Sequence, residues 1–377
     1  MSLSRPLRQW WSRTSDQLLH QAQDRLLQAL VQTPFTRLAR GAHGLNVLEF
    51  VCRNHSRTAS HKHVTLLLLH GFGSGLGFFA PNIDALLAEP TPVRRVVLMD
   101  WLGMGGSDRP PCRRPIRGLT SCTTDFCHSR FDPTQAADFF TQPLHVWLQQ
   151  HENVSANETV WTVGHSLGGY LLGRYVLTAM PWHFNLQKVV LASPVGFPTA
   201  PDVHTSVPTA EWPTAWRVVD ALWSANVTPQ QLIRLMGATR GRRVVQQALA
   251  GRIPHLTGRM DDRALLRLLA DYLYHITVAH PSGEFAMNSL LQPGLQPNEA
   301  GVFAREPLAP LFETHHSGNL QWKVLFGDHD WMRSASNEKA AQRAMQIARG
   351  RICIVPNAGH HLYLENPNAF VEHILND

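Results

Sequence analysis

Gly164-His165-Ser166-Leu167-Gly168 sets one serine between two glycines, after the apolar run 159–163 and before Tyr170-Leu171-Leu172 at helical spacing. A serine on a tight strand-to-helix turn is held in strained backbone angles, and its flanks must be small or strand and helix collide. The hydroxyl is then pushed out above the end of a sheet, where it could serve as a nucleophile. An incidental serine in a glycine-rich turn is the bland alternative. A serine hydroxyl is weak at its own pKa and needs a base to take its proton. His165 is adjacent, but a neighbour on such a turn points elsewhere, so it is expected to pack or to face solvent. Other candidates lie further along: Asp328 and Asp330 after the apolar run 322–327, and His360 and His361 after 351–356. Earlier, His70-Gly71-Phe72-Gly73 follows the apolar run 66–69, where backbone N–H groups would face a ligand unobstructed by side chains.

These groups need a frame to hold them. Strand candidates occur at 44–50, 64–69 and 95–99, then before the serine, within LQKVVLASPVGFP at 186–198, and at 322–327 and 351–356. The run at 64–69 is continuously apolar, as in a strand buried on both faces. Strands alternate with helical segments, which predicts an α/β fold: a mostly parallel sheet with right-handed crossovers, flanked by helices. LMDWLGMGGSDRP at 98–110 reads as a strand end and turn shaped by Asp100, Gly103, Gly105 and Ser107, with no catalytic role.

The predicted organisation is an N-terminal segment at 1–40, a core at 41–197 and 321–377, and a helical lid at 198–320, inserted late in the sheet. The lid interval carries Arg234, Arg240, Arg242, Arg243, Arg252, Arg259, Arg263 and Arg267 among Leu, Trp and Met. A solvated helix face is one account; an amphipathic lid whose arginines meet phosphate headgroups is the other. On the second account Trp216, Arg240, Arg242 and Arg243 are candidate substrate contacts. In residues 1–40 six arginines face two aspartates, a local charge of +4, and Leu18, Leu19, Ala22, Leu26, Leu27 and Leu30 fall at helical spacing. Three readings stand open: a mitochondrial transit peptide, a membrane-surface anchor using Trp10 and Trp11, or a helix packed on the body.

Composition narrows the partners. Charged residues are only 16% and there are 11 Trp, so more of the surface than usual is expected to be apolar, which suits a lipid-facing protein. No run of about 18 apolar residues exists, so any membrane contact is expected to be peripheral. The five cysteines are scattered, odd in number and without metal-ligand spacing, which argues against a disulfide scaffold or zinc site. No metal, nucleotide or nucleic-acid partner is expected.

The motifs in chain order resemble those of the α/β-hydrolases, and in particular a lipid-acting subfamily. That subfamily includes the N-acyl-phospholipid lysophospholipase, the lipid-droplet lipase co-activator and the mitochondrial cardiolipin deacylase. The resemblance rests on HGFGSGLGFF, GHSLGGYLL, SPVGFP, YLYHITVAHPSGE, AREPL, FGDHDWM and AGHHLYLENP, and covers roughly residues 64 to 370. It implies a triad in the order Ser166, Asp330, His360, with Gly-x-x-Asp favouring Asp330 over Asp328 and Ala-Gly-His favouring His360 over His361. It implies an oxyanion hole from the backbone N–H groups of Phe72 and Leu167. The implied substrate is a phospholipid or lysophospholipid, met at a membrane or lipid-droplet surface; the basic, acid-poor N-terminus before a helix makes mitochondria the expected compartment. Members associated with acyl transfer to lysophosphatidic acid carry His-x4-Asp after the last strand, whereas His360 is followed here by Glu365. Members of the co-activator type lack the serine, which is present here. Hydrolysis is therefore the expected activity, with acyltransferase and non-catalytic adaptor as rivals.

Overall fold

The computed structural model describes residues 11–52, 63–112, 114–115, 128–129, 131–150, 152–178, 182–199, 207–253, 256, 262–296, 299–314 and 320–376. Its centre is an eight-stranded sheet. The strands are β1 (Phe35–Arg37), β2 (Val47–Val51), β3 (Val64–Leu69), β4 (Val93–Met99), β5 (Thr159–His165), β6 (Asn185–Ala192), β7 (Gln321–Gly327) and β8 (Arg351–Val355). Their spatial order is β1-β2-β4-β3-β5-β6-β7-β8. The β1–β2 and β2–β4 pairs are antiparallel, and every pair from β4 to β8 is parallel.

All six residues of β3 are buried, and the period of two distributes them over two cores. Leu67 and Leu69 join one cluster with Phe140, Tyr170 and Leu171, while Leu66 and Leu68 join the opposite cluster with Phe78, Tyr272 and Tyr363. A strand with both faces covered must read as a continuous apolar run. The functional loops all leave the C-terminal ends of these central strands.

Three details depart from the sequence reading. The sheet begins at β1, ahead of the expected core boundary at residue 41. The interval after β6 is not purely helical. It holds α4 (Thr214–Ser224), α5 (Pro229–Leu235), α6 (Gly237–Arg252) and α7 (Asp262–Val278), following α1 (Asp16–Leu30), α2 (Pro133–Gln149) and α3 (Leu167–Thr178), but it also contains an antiparallel hairpin, Leu291–Gln296 with Glu299–Ala304. Finally, the apolar stripe of α1 turns inward: Leu19, Ala22, Leu26 and Leu27 are buried in the second cluster with Leu269 and Tyr272 of α7. Ion pairs from Arg25 to Asp271 (2.7 Å) and from Arg37 to Asp24 (2.6 Å) hold its outer edge. Of the three readings for the N-terminal segment, this helix follows the packed one; Trp10 lies outside the described residues. No described helix is long and apolar enough to cross a membrane.

Candidate active site

Ser166 sits between β5 and α3 with φ of +54°, a left-handed conformation that L-residues adopt only at a cost of about 1–2 kcal/mol. Its neighbours show why the turn needs glycine. A Cβ on Gly164 would lie 2.5 Å from the Gly168 carbonyl oxygen, and one on Gly168 would lie 2.3 Å from the His70 carbonyl oxygen. A Cβ on Gly71 would meet the Ser166 Cβ at 2.9 Å, so the loop after β3 lies directly against the serine. Leu167 opens α3 and so has no intrahelical acceptor for its N–H. Among the described residues neither its amide nor that of Phe72 donates a backbone hydrogen bond. Both residues line the cavity in front of Ser166, where such amides can receive a developing oxyanion.

Three side chains that span 194 residues of sequence meet at this point. The Ser166 Oγ–H donates to His360 Nε2 at 3.1 Å, and His360 Nδ1–H donates to Asp330 Oδ1, also at 3.1 Å. The Met332 amide donates to the same Oδ1 at 2.9 Å. Burial pushes the Asp330 carboxyl up, but the His360 hydrogen bond and charge, the Ser193 hydroxyl and the Met332 amide outweigh it and hold the group below its ordinary value. The other acid acts on the backbone. Asp328 accepts from the Asn357 and Ala358 amides, both at 2.9 Å, and so shapes the turn leading into His360. His361 points away, its Nδ1 hydrogen-bonded to the Tyr363 hydroxyl at 3.2 Å.

Several contributors were not found from the sequence. Ser193, fully buried at the end of β6 with φ of +46°, presents its hydroxyl to Asp330. His165, expected to pack or to face solvent, packs: it does not reach Ser166 as a base, is buried, and its Nε2–H donates to the His360 carbonyl at 2.9 Å. The Trp331 ring lies 4.9 Å from that of His360 and is 62% exposed. Glu365 accepts from the Gly359 amide at 2.5 Å and pins the turn before His360. The following helix is capped by Asn366, whose Oδ1 accepts from Ala369 N. Behind the loop after β3, buried Asp100 accepts from Leu76 N (2.7 Å), Gly106 N (2.8 Å) and the Asn46 side chain (2.7 Å). That network positions the loop carrying Phe72 without touching the cavity.

Ser166 opens into a cavity of about 630 Å³. Phe72, Leu167, Val195, Trp223, Met287, Leu291, Val302, Trp331 and Met332 make its wall largely apolar, with Asn226, Thr228, Arg252 and Glu284 as polar points. The volume and lining are those of a small-molecule site. Trp223 of α4, Asn226, Val227 and Thr228 of the link that follows it, Pro229 of α5, and Gly251 and Arg252 of α6 line it, so the interval after β6 forms part of the wall. None of the four expected lid contacts is among the lining residues. Trp216 packs edge-on against Trp212. Arg240 and Arg243 are exposed. Arg242 is ion-paired with Asp271, lies over the Tyr274 ring at 4.3 Å and donates to His275 Nε2. Trp223 and Arg252 line the cavity instead.

The histidines around this frame predict a pH dependence of stability. Burial, with further contributions from neighbouring charge, lowers His70, His165, His275 (to about 4) and His361 (to about 3) from their ordinary values. The folded chain keeps them neutral where the unfolded chain protonates them near pH 6.5. The unfolded state therefore binds more protons, and stability falls as pH drops below that point. A histidine still neutral at pH 5 contributes a loss of about 2 kcal/mol. Urea midpoints should fall steeply between pH 7 and 5; a flat profile would contradict these burial effects.

Comparison with known proteins agrees with this architecture. The model of the alpha/beta hydrolase family matches residues 66–373. A 1-acylglycerol-3-phosphate O-acyltransferase from Arabidopsis thaliana is 30% identical over 97% of this chain and 81% of its own length. A probable 1-acylglycerol-3-phosphate O-acyltransferase from Oryza sativa subsp. japonica is 31% identical over 81% of this chain, and the match spans 65% of that protein, just under two thirds. A (lyso)-N-acylphosphatidylethanolamine lipase from Homo sapiens is 26% identical over 82% of this chain and 78% of its own. Among solved structures, a carboxylesterase from Bacillus subtilis superposes with a TM-score of 0.55 at 17% identity, covering 96% of both chains, a likeness of fold. With the family model spanning most of its length, the chain belongs to the alpha/beta hydrolase family, among relatives named for chemistry on acyl lipids.

Proposed function

We propose that the protein is a serine hydrolase that cleaves acyl esters of phospholipids or lysophospholipids through an acyl-serine intermediate. The observation that carries this reading is the Ser166–His360–Asp330 relay, at 3.1 Å for each step, opening into a largely apolar cavity. Ser166 Oγ attacks the ester carbonyl carbon while His360 Nε2 takes its proton, and Asp330 stabilises the imidazolium. The Phe72 and Leu167 amides receive the oxyanion. Collapse breaks the ester bond, and His360 returns the proton to the departing glycerol oxygen. Water, deprotonated by the same histidine, then releases the fatty acid.

Acyl transfer is the second reading, favoured by the names of the Arabidopsis and rice relatives. It differs only in the last step, where a lysophosphatidic acid hydroxyl replaces water. Glu365, where the transfer motif has Asp, is tied to the Gly359 amide, which supports hydrolysis. A non-catalytic adaptor is the third reading, and the intact Ser166 relay speaks against it.

The proposed workplace is a membrane or lipid-droplet surface, with mitochondria as the compartment. Support comes from α4 and α5, which bury no residue and expose Val218, Val219, Leu222, Leu232 and Leu235, the last at 75%. The stripe of α1 is already buried against the body, so these helices are the better candidates for a lipid surface.

A fluorophosphonate probe should label the intact protein and fail to label Ser166→Ala. Labelling that survives the substitution, or is absent from the wild type, would sink the enzyme reading. Offering water and lysophosphatidic acid together, in the presence of a labelled acyl donor, separates the two chemistries: free fatty acid is the expected main product. Fractionation of cells expressing the full chain checks the compartment.

A further inference from the structure

The cavity carries one arginine and, among the described residues, no lysine. Arg252 closes α6, and its side chain makes no hydrogen bond or ion pair with any described residue. The other charges in the wall are already engaged. Glu284 is held by Arg234 through two bonds, 2.7 and 2.5 Å, and accepts from the Thr228 hydroxyl at 2.8 Å. Glu365 is tied to the Gly359 amide. The guanidinium of Arg252 is near enough to act on His361, whose ring lies 5.5 Å from that of His360. A planar, permanently charged donor with no partner among the described residues therefore lines the same cavity as the nucleophile, whose wall is largely apolar.

We propose that Arg252 is the anion anchor of this cavity and takes the phosphate of a lipid whose acyl ester lies at Ser166. The inference rests on the reading of the cavity as an acyl-lipid site and names the group that selects among such lipids. A guanidinium presents paired N–H donors that match phosphate oxygens in a fork. An anion held there orients the glycerol so that the acyl chain runs along the apolar wall and the ester carbonyl meets Phe72 and Leu167. Arg252 is exposed, as Arg240 and Arg243 are, and differs from them in lining the cavity.

An arginine in a last helical turn also offsets the negative end of the helix dipole, so thermal stability must be read beside binding. Octanoyl lysophosphatidic acid and octanoyl glycerol, which share a chain and differ in the phosphate, are titrated against Ser166→Ala protein with Arg252 intact and with Arg252→Gln. Arg252→Gln is expected to weaken the phosphate-bearing lipid about tenfold or more and to leave octanoyl glycerol within about twofold, and Arg252→Lys should recover part of the loss. Equal weakening of both lipids would show a merely structural role. Unchanged affinity for the phosphate lipid would overturn the anchor while leaving the acyl-lipid reading standing. Failure of both lipids to bind with Arg252 present would overturn both. Glycerol 3-phosphate is the control for a free phosphate ester: if it binds as tightly as the lipid and loses affinity on Arg252→Gln, the anchor does not serve a lipid headgroup.

Discussion

His360→Ala is expected to lower kcat for an acyl ester by about 10,000-fold or more, the cost of losing a triad member, while oxyanion and binding contributions remain. His361→Ala is expected to stay within about tenfold of wild type. The two side chains are neighbours in sequence and 5.5 Å apart in space, but their bonds differ in kind. His360 Nε2 accepts from Ser166 and its Nδ1 donates to Asp330. His361 faces Tyr363, and burial followed by the charges of His360 and Arg252 lowers it to about 3. A group neutral across the working pH and turned from the serine has no proton to exchange with it. What His361 does supply is packing against Phe78, His165 and His360, so its loss should loosen the ring stack and raise KM more than it lowers kcat. Steady-state kinetics on both variants, with circular dichroism to confirm folding, is the check. Equal losses in kcat would mean that the loop is misassigned.

The elements that could be read in advance were those whose burial leaves a local mark. β3 is covered on both faces and so is apolar at every position, and the Ser166 turn is so tight that glycine is needed at 164 and 168. Other features have no such mark. β1 has three residues, too few for an alternating pattern to be read from the sequence. The hairpin after α7 carries Pro293, Gly294 and Gly301, residues that argue against a strand when read alone. Trp216 and Trp223 are two helical turns apart on one stripe of α4, and only the docking of that helix decides that Trp223 reaches the cavity while Trp216 meets Trp212. Arg242 and Arg252 look alike in sequence. Asp271, 29 residues beyond the first, pairs with it, and no described acid meets the second. Ser193 could have been noticed only as a serine after a buried strand, a weak signal. Its importance comes from β7 lying beside β6 and bringing the loop with Asp330 across to it.

Asp330→Asn should expose how that acid is held. In a triad where the new amide turns its NH₂ toward histidine, the tautomer inverts and kcat falls about 10,000-fold. Here both contacts at Oδ1 are donors, His360 Nδ1–H at 3.1 Å and the Met332 amide at 2.9 Å. They select the carbonyl oxygen of the asparagine for that place. Its NH₂ then occupies the Oδ2 position, which accepts no hydrogen bond from any described residue. Ser193 Oγ, the hydroxyl that helps hold this carboxyl below its ordinary value, lies beside the same group and can turn to accept. His360 thus keeps its proton on Nδ1 and its lone pair toward Ser166. What is lost is the negative charge that stabilises the imidazolium. We expect Asp330→Asn to cost about 100- to 1,000-fold in kcat, and Asp330→Ala, which leaves Nδ1 without an acceptor, about 10,000-fold. Adding Ser193→Ala to Asp330→Asn removes the hydroxyl that receives the NH₂ and should cost about tenfold more, a typical result of unpairing one buried donor. The order of the three rates, measured with one soluble ester across pH 6 to 9, tests the argument. If Asp330→Asn is as slow as Asp330→Ala and Ser193→Ala adds nothing, neither the Met332 amide nor Ser193 controls which way the side chain faces.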